Sequence, residues 1–165
     1  MVELLVIIGI LAVVLAILLP VLGRARNAGQ SVTCLSNLRQ ISIGLELFAE
    51  QNNNCLPDPS QTQVSWEQSI SPFVQARTAF LCPSDAELFP NVGSSYDWRD
   101  TGNVDTTLAG RDLNSIRRPD AVLAFDALPA WHCNGRLNVV RLDGSTLSMD
   151  QNEWFNNMDI AVSKP

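Results

Sequence analysis

The sequence predicts an α+β fold, with a long N-terminal helix laid on a small antiparallel sheet of three to five short strands. Three observations predict it. An unbroken apolar run opens the chain. A stripe of apolar residues at helical spacing follows. Asp143-Gly144 then stands between two strand-like runs near the end.

The apolar run covers residues 1–22 (MVELLVIIGILAVVLAILLPVL), and from Leu4 it carries no charge for nineteen residues. As a helix that stretch spans roughly 28 Å, about the hydrocarbon thickness of a bilayer. A cleaved secretory signal would have a shorter apolar core and a basic segment before it. A helix apolar on every face could also be buried, but only inside a much larger protein. The reading that remains is a membrane-spanning helix that stays on the protein. Glu3 is the run's only ionisable side chain. A carboxylate at a membrane edge lies at the interface or waits for a cation from a partner. Gly9 and Pro20 interrupt the run, and Pro20 removes a backbone donor and can kink the helix.

Residues 24–50 continue the helix in a different character. Ala28, Val32, Leu35, Leu38, Ile41, Leu45 and Phe48 recur at spacings of three and four, forming one apolar stripe among polar residues. The two halves together predict a helix of about fifty residues, near 75 Å long, with Gly23 and Gly29 as weak points. Gln51 to Asn54 and then Pro57 and Pro59 end it. The chain divides accordingly into a membrane half, residues 1–22, and a globular domain, residues 23–165, whose spine is the amphipathic half.

Residues 57–65 read as loop, and residues 66–74 (WEQSISPFV) as a short helix capped by Ser65 and ending near Pro72. Tyr96-Asp97-Trp98 reads as a short strand within a loop zone rich in Gly, Asn, Asp, Ser and Thr. Residues 121–128 (AVLAFDAL) read as a buried strand between Pro119 and Pro129. Residues 137–142 and 145–149 flank Asp143-Gly144, which predicts a hairpin with a type I′ turn, needing positive φ at both central positions. The tail QNEWFNNM is a candidate closing helix.

Eleven Lys and Arg stand against seventeen Asp and Glu, a net charge of −6, and every basic residue follows Leu22. No basic cluster exceeds Arg117-Arg118, so nucleic acid is disfavoured as a partner. Cys34, Cys55, Cys82 and Cys133 are even in number and permit two disulfides in any of three pairings. Their wide spacing, with no C-x-x-C, argues against zinc and thioredoxin-like chemistry. Cys82 reads as structural, since a nucleophile needs a base. His132 is the only histidine and has no orienting partner recognisable in the sequence. Asp97, Asp100, Asp105 and Asp112 lack the order and spacing of a calcium loop and read as solvated acids. No cofactor, metal or catalytic residue is therefore assigned, with calcium the one ion left open.

The segment VELLVIIGILAVVLAILLPVLGRAR resembles the N-terminus of type IV pilins and type II secretion pseudopilins, the prepilin-type methylation segment. CLSNLRQISIGLELFAEQNNNCLP resembles a branch of prepilin-like proteins with a Cys-Leu-Ser-Asn-Leu-Arg-Gln signature, a Cys-Pro-Ser-Asp after an aromatic, and a late His…Asp-Gly motif called H-X9-DG. His132, Asp143 and Gly144 stand at that last motif, although ten residues separate His132 from Asp143 here. The resemblance implies a lollipop-shaped pilin-like fold and a structural subunit of a pilus-like or pseudopilus filament. In such filaments the early Glu, here Glu3, pairs with a neighbouring subunit's amino terminus. It implies other pilin-like subunits and the membrane as partners, with the domain outside the cytoplasm. The family's basic leader ending in Gly, and the Phe-Thr-Leu that follows it, would stand before Val2-Glu3. Either the start is placed late or the chain is a trimmed form, and a prepilin peptidase is a partner only if a leader is encoded upstream of Met1. Two rival readings are a membrane-anchored binding module that never polymerises and a membrane-tethered enzyme. The enzyme would need a convergent polar cluster around His132.

Overall fold

A computed structural model describes residues 2–132 and 135–162. A 50-residue helix, α1 (Val2–Gln51), runs unbroken through Gly9, Pro20, Gly23 and Gly29, the positions where the sequence predicts weakness. It ends where Asn53 and Asn54 take left-handed φ of 55° and 60°, with the Asn52 and Asn54 N–H groups both donating to the Ala49 carbonyl. Asparagine tolerates that conformation because its short polar side chain bonds locally.

The buried face of α1 is narrower than the sequence stripe. Cys34, Leu38, Ile41, Leu45 and Ala49 are fully buried, whereas Ala28 and Val32 lie exposed. Burial begins near Gln30 and Ser31, which bond to the Pro83 carbonyl and to Asn138 at the rim of the domain, and the described side chains of residues 2–25 are exposed. Gly44 also belongs to the face. A Cβ there would sit 2.7 Å from a Val74 methyl, so its absence lets the next segment close onto the helix.

That segment holds two short helices, α2 (Pro59–Thr62) and α3 (Trp66–Ile70). Ser65 caps α3 by accepting from the Gln68 N–H, and Pro72 stands in the 3-10 turn Ser71–Phe73 that follows. Another turn, Arg77–Phe80, leads to Cys82, and α4 (Leu88–Val92) precedes the sheet. The sheet has four antiparallel strands in the order β1 (Tyr96–Trp98), β2 (Val122–Asp126), β3 (Leu137–Arg141) and β4 (Thr146–Met149). A register shift between Val122 and Ala124 turns part of β2 over. As a result Leu123 and Ala124 join the core under α1, while Val122 and Phe125 join the cluster on the opposite face.

The opposite face is covered by α5 (Gln151–Asp159), which begins with a reciprocal capping box between Asp150 and Glu153. Trp154 of α5 packs edge-on against Phe125. The fully buried Arg99 ties this end together, donating to the Thr106, Met158 and Ile160 carbonyls and to Asn157 Oδ1. Burial lowers its pKa to about 10, and the neighbouring Arg118 acts in the same direction.

The β3–β4 turn differs from the type I′ expectation. Among the described residues Asp143 is not at positive φ, whereas Gly144 has φ 76°. The Gly144 N–H donates to the Arg141 carbonyl, and the Arg141 N–H to that of Ser145. This is a three-residue loop, a type I turn closed by a left-handed glycine, and Leu142 occupies the position that a two-residue Asp-Gly loop would leave to the strand.

Candidate functional site: a buried cysteine–histidine–aspartate cluster

Four side chains that lie far apart in sequence meet between α1 and the sheet. Cys34 projects from the start of the buried face of α1. Cys82 sits in the loop after Phe80, held by the Asp85 N–H donating to its carbonyl. Asp126 ends β2, on the α1 side of the sheet. His132 follows the turn Pro129–Trp131. All four are buried, and their donor atoms lie within 4.8 Å of one another.

The sulfurs of Cys34 and Cys82 are 2.6 Å apart and both thiols are free. His132 Nε2 lies 3.7 Å from Cys82 Sγ and 3.1 Å from Asp126 Oδ2. The same Asp126 oxygen accepts from the Asn138 N–H at 2.8 Å. Asn138 in turn accepts from Ser31 of α1 and Ser148 of β4. The cluster is therefore fixed from both the helix and the hairpin. His132 Nδ1 and Asp126 Oδ1 are buried without a hydrogen-bond partner.

The electrostatics of the two thiols differ. The hydrogen bond from Cys34, helped by those from His132 and the Ser84 N–H, outweighs burial and lowers Cys82 to about 6. That same bond, with burial, pushes Cys34 far above the ordinary thiol value. Burial alone would lower His132, but its bonds to Asp126 and Cys82 outweigh it and raise the imidazole to about 9. Between those values Cys82 is a thiolate beside an imidazolium. Tyr96 closes the cluster from β1 and is kept neutral, chiefly by burial.

Two thiolates on one tetrahedral zinc stand about 3.8 Å apart, as bond lengths near 2.3 Å require. The Cys34–Cys82 separation is far shorter, so the cluster as arranged does not fit a shared metal ion. It fits sulfur chemistry instead, with a thiolate, a resolving thiol, and a histidine oriented by a carboxylate.

Of the motif residues named from the sequence, Cys34, Cys82 and His132 meet in the cluster, and others brace the elements around it. Asn37 donates to the Leu81 carbonyl and to the Tyr96 hydroxyl. Arg39 bonds the Gly144 carbonyl, joining α1 to the hairpin turn. Asp85 of the Cys-Pro-Ser-Asp segment accepts from the N–H groups of Glu87, Leu88 and Phe89 and from the Ser95 hydroxyl. Asp143 does not reach His132 and instead accepts from the N–H and hydroxyl of Ser145. Cys55 is half-buried beside Asp112, and Cys133 lies outside the described residues. Asp97, Asp100 and Asp112 are bonded to the Trp98 N–H, the Thr107 hydroxyl and the Asn114 N–H, each within its own loop.

Sequence reasoning missed Asp126, the partner that orients His132. Its signal was present as the one acid inside an otherwise apolar strand run, AVLAFDAL.

The other end of the molecule carries a different feature. α1 is long and apolar enough to cross a membrane. Its most apolar eighteen-residue window has a mean hydropathy of 3.3, and none of it is buried against the rest of the chain. Glu3 lies exposed in the first turn of this helix, while Gly9 has open space around it. Compared with known proteins, the chain matches no family model, no curated protein and no solved structure.

Proposed function

We propose that this chain is a structural subunit of a type IV pilus-like or type II secretion pseudopilus-like filament, anchored in and assembled from the membrane through α1. The observation that carries this reading is the division of a single helix. Residues beyond Ser31 are the spine of a packed α+β domain, whereas the most apolar eighteen-residue window of the same helix, near the N-terminus, has none of its residues buried. Such a surface needs a nonaqueous partner. Lipid supplies it before assembly, and the same helices of neighbouring copies supply it afterwards, so leaving the bilayer exposes little apolar surface. The domain lies outside the cytoplasm in this reading. Glu3 pairs with the amino terminus of a neighbouring copy and sets axial register, a role that does not require large net stability. The protein is a structural subunit and not an enzyme in this reading.

Glu3→Gln and Glu3→Ala test it. Both variants are expected to lower the yield of sheared filaments at least tenfold, while membrane-fraction protein and protease resistance of the domain stay unchanged. A plain membrane anchor has no use for Glu3. Normal filament yield overturns the register role, and a wild-type chain that never crosslinks to its own copies in the membrane favours the non-polymerising binding module.

A further inference from the structure

We infer that Cys34 and Cys82 close a disulfide that staples the spine helix to the loop after Phe80, and that Cys82 is the sulfur that reacts first. The geometry carries both parts. The two sulfurs are already inside non-bonded contact, on elements 48 positions apart in sequence, and both are buried. The groups facing Cys82 are unequal on its two sides. On one side stands the Cys34 thiol, with the neutral Tyr96 hydroxyl of β1 beyond it. On the other stands His132, held by Asp126 of β2. Although His132 also lies within 4.8 Å of the Cys34 sulfur, its hydrogen bond is made to Cys82, and the depressed pKa of Cys82 and the raised one of Cys34 agree with that asymmetry.

The step requires a disulfide donor, such as an envelope dithiol oxidase in its oxidised form or oxidised glutathione. The Cys82 thiolate attacks one donor sulfur, forming a mixed disulfide and releasing the other as a thiolate. That thiolate, or solvent, takes the Cys34 proton. Cys34 sulfur then attacks Cys82 sulfur and expels the second donor thiolate. Two protein thiols are oxidised and one donor disulfide is reduced to two thiols. Finding a donor in the cell rests on the proposed extracytoplasmic placement of the domain, whereas the geometry does not.

The four cysteines fall on four separate tryptic peptides, with Cys34 on residues 27–39 and Cys82 on residues 78–99. The full-length chain in detergent micelles is reduced, transferred to oxidised glutathione across pH 5.5 to 9, quenched by alkylation in denaturant and mapped. The expected product links residues 27–39 to residues 78–99, and closure remains fast down to about pH 6. His132→Gln is expected to form the same link with its pH profile moved towards that of an ordinary thiol. Free alkylated Cys34 and Cys82, a link through Cys55 or Cys133 instead, or one equivalent of zinc protecting both thiols overturns the staple. An unchanged pH profile in His132→Gln overturns the order of reaction. A link that forms in micelles but is absent from chain alkylated inside growing cells overturns the placement of the domain and leaves the staple standing.

Discussion

At the scale of single residues, the His132–Asp126 pair makes a distinctive statement about pH. Folding raises His132 from 6.5 to about 9, so the protonated form is favoured in the native state. The stability it contributes is complete below pH 6.5 and is lost as pH rises through about 9. Cys82 has the opposite sign. Its folded pKa falls from 9.0 to about 6, so its contribution is complete above 9 and is lost as pH falls through 6. Between 6.5 and 9 the reduced native chain holds one proton on His132, and the reduced unfolded chain holds one on Cys82. The two contributions cancel, and the cluster adds no slope. With the disulfide closed Cys82 no longer titrates, and the native state alone holds the proton. Closure also removes the support of the Cys82 thiolate and leaves Asp126 to hold the imidazolium, so urea midpoints of the closed chain are expected to fall as pH rises above 6.5, while those of the reduced chain stay level up to about 9. Closed His132→Gln removes the fall. A closed wild-type chain with a level profile contradicts the imidazolium assignment.

Among elements, the β3–β4 turn shows what one position demands. Gly144 is held at φ 76°, and a Cβ there would collide with the Arg39 guanidinium that bonds its carbonyl. Gly135 has a similar φ of 64° with open space around it. Gly135→Ala isolates the backbone cost, about 1 kcal/mol. Gly144→Ala adds the displacement of Arg39 and is expected to cost about 2–3 kcal/mol, measured by urea unfolding. Equal losses for the two would show that Arg39 yields freely. The long helix, the strands and the closing helix were legible in the sequence because each carries a local signal, whereas the one-turn helix α2, within residues 57–65 read as loop, and α4 were not, being too short to show a period. The Leu38, Ile41 and Leu45 period marks the helix, Ser65 and Asp150 mark helix starts, and Asp143-Gly144 marks the hairpin. The turn type was not legible, because Leu142 can belong to strand or loop by composition alone. The cluster was not legible either. Cys34 and Cys82 meet across 48 positions only because α1 and the loop pack on the same sheet face. Asp126 faces them only because β2 slips its register after Val122. No spacing rule encodes contacts of that kind.

For the whole molecule, the consequence of one helix with a packed half and an exposed apolar half is that the two halves contribute to different equilibria. The domain's stability comes from α1 beyond Ser31, the four strands and α5, which enclose cores on both sheet faces. Residues 2–25 add apolar surface but no packing to that domain, since each side chain described there is exposed. Helix propagation alone cannot hold such a segment in water, where a long isolated helix is marginal and an apolar one aggregates. Removing residues 1–25 is therefore expected to leave a domain that no longer partitions into membranes. Its unfolding free energy should lie within about 1 kcal/mol of that of the full chain in micelles, and α1 should still be helical from about residue 30. Paired urea melts by circular dichroism measure this. A loss above about 3 kcal/mol would mean that the apolar half props up the domain as well as anchoring it. Membrane binding retained by the truncated chain would place the lipid contact on the domain surface instead of on the apolar half of α1.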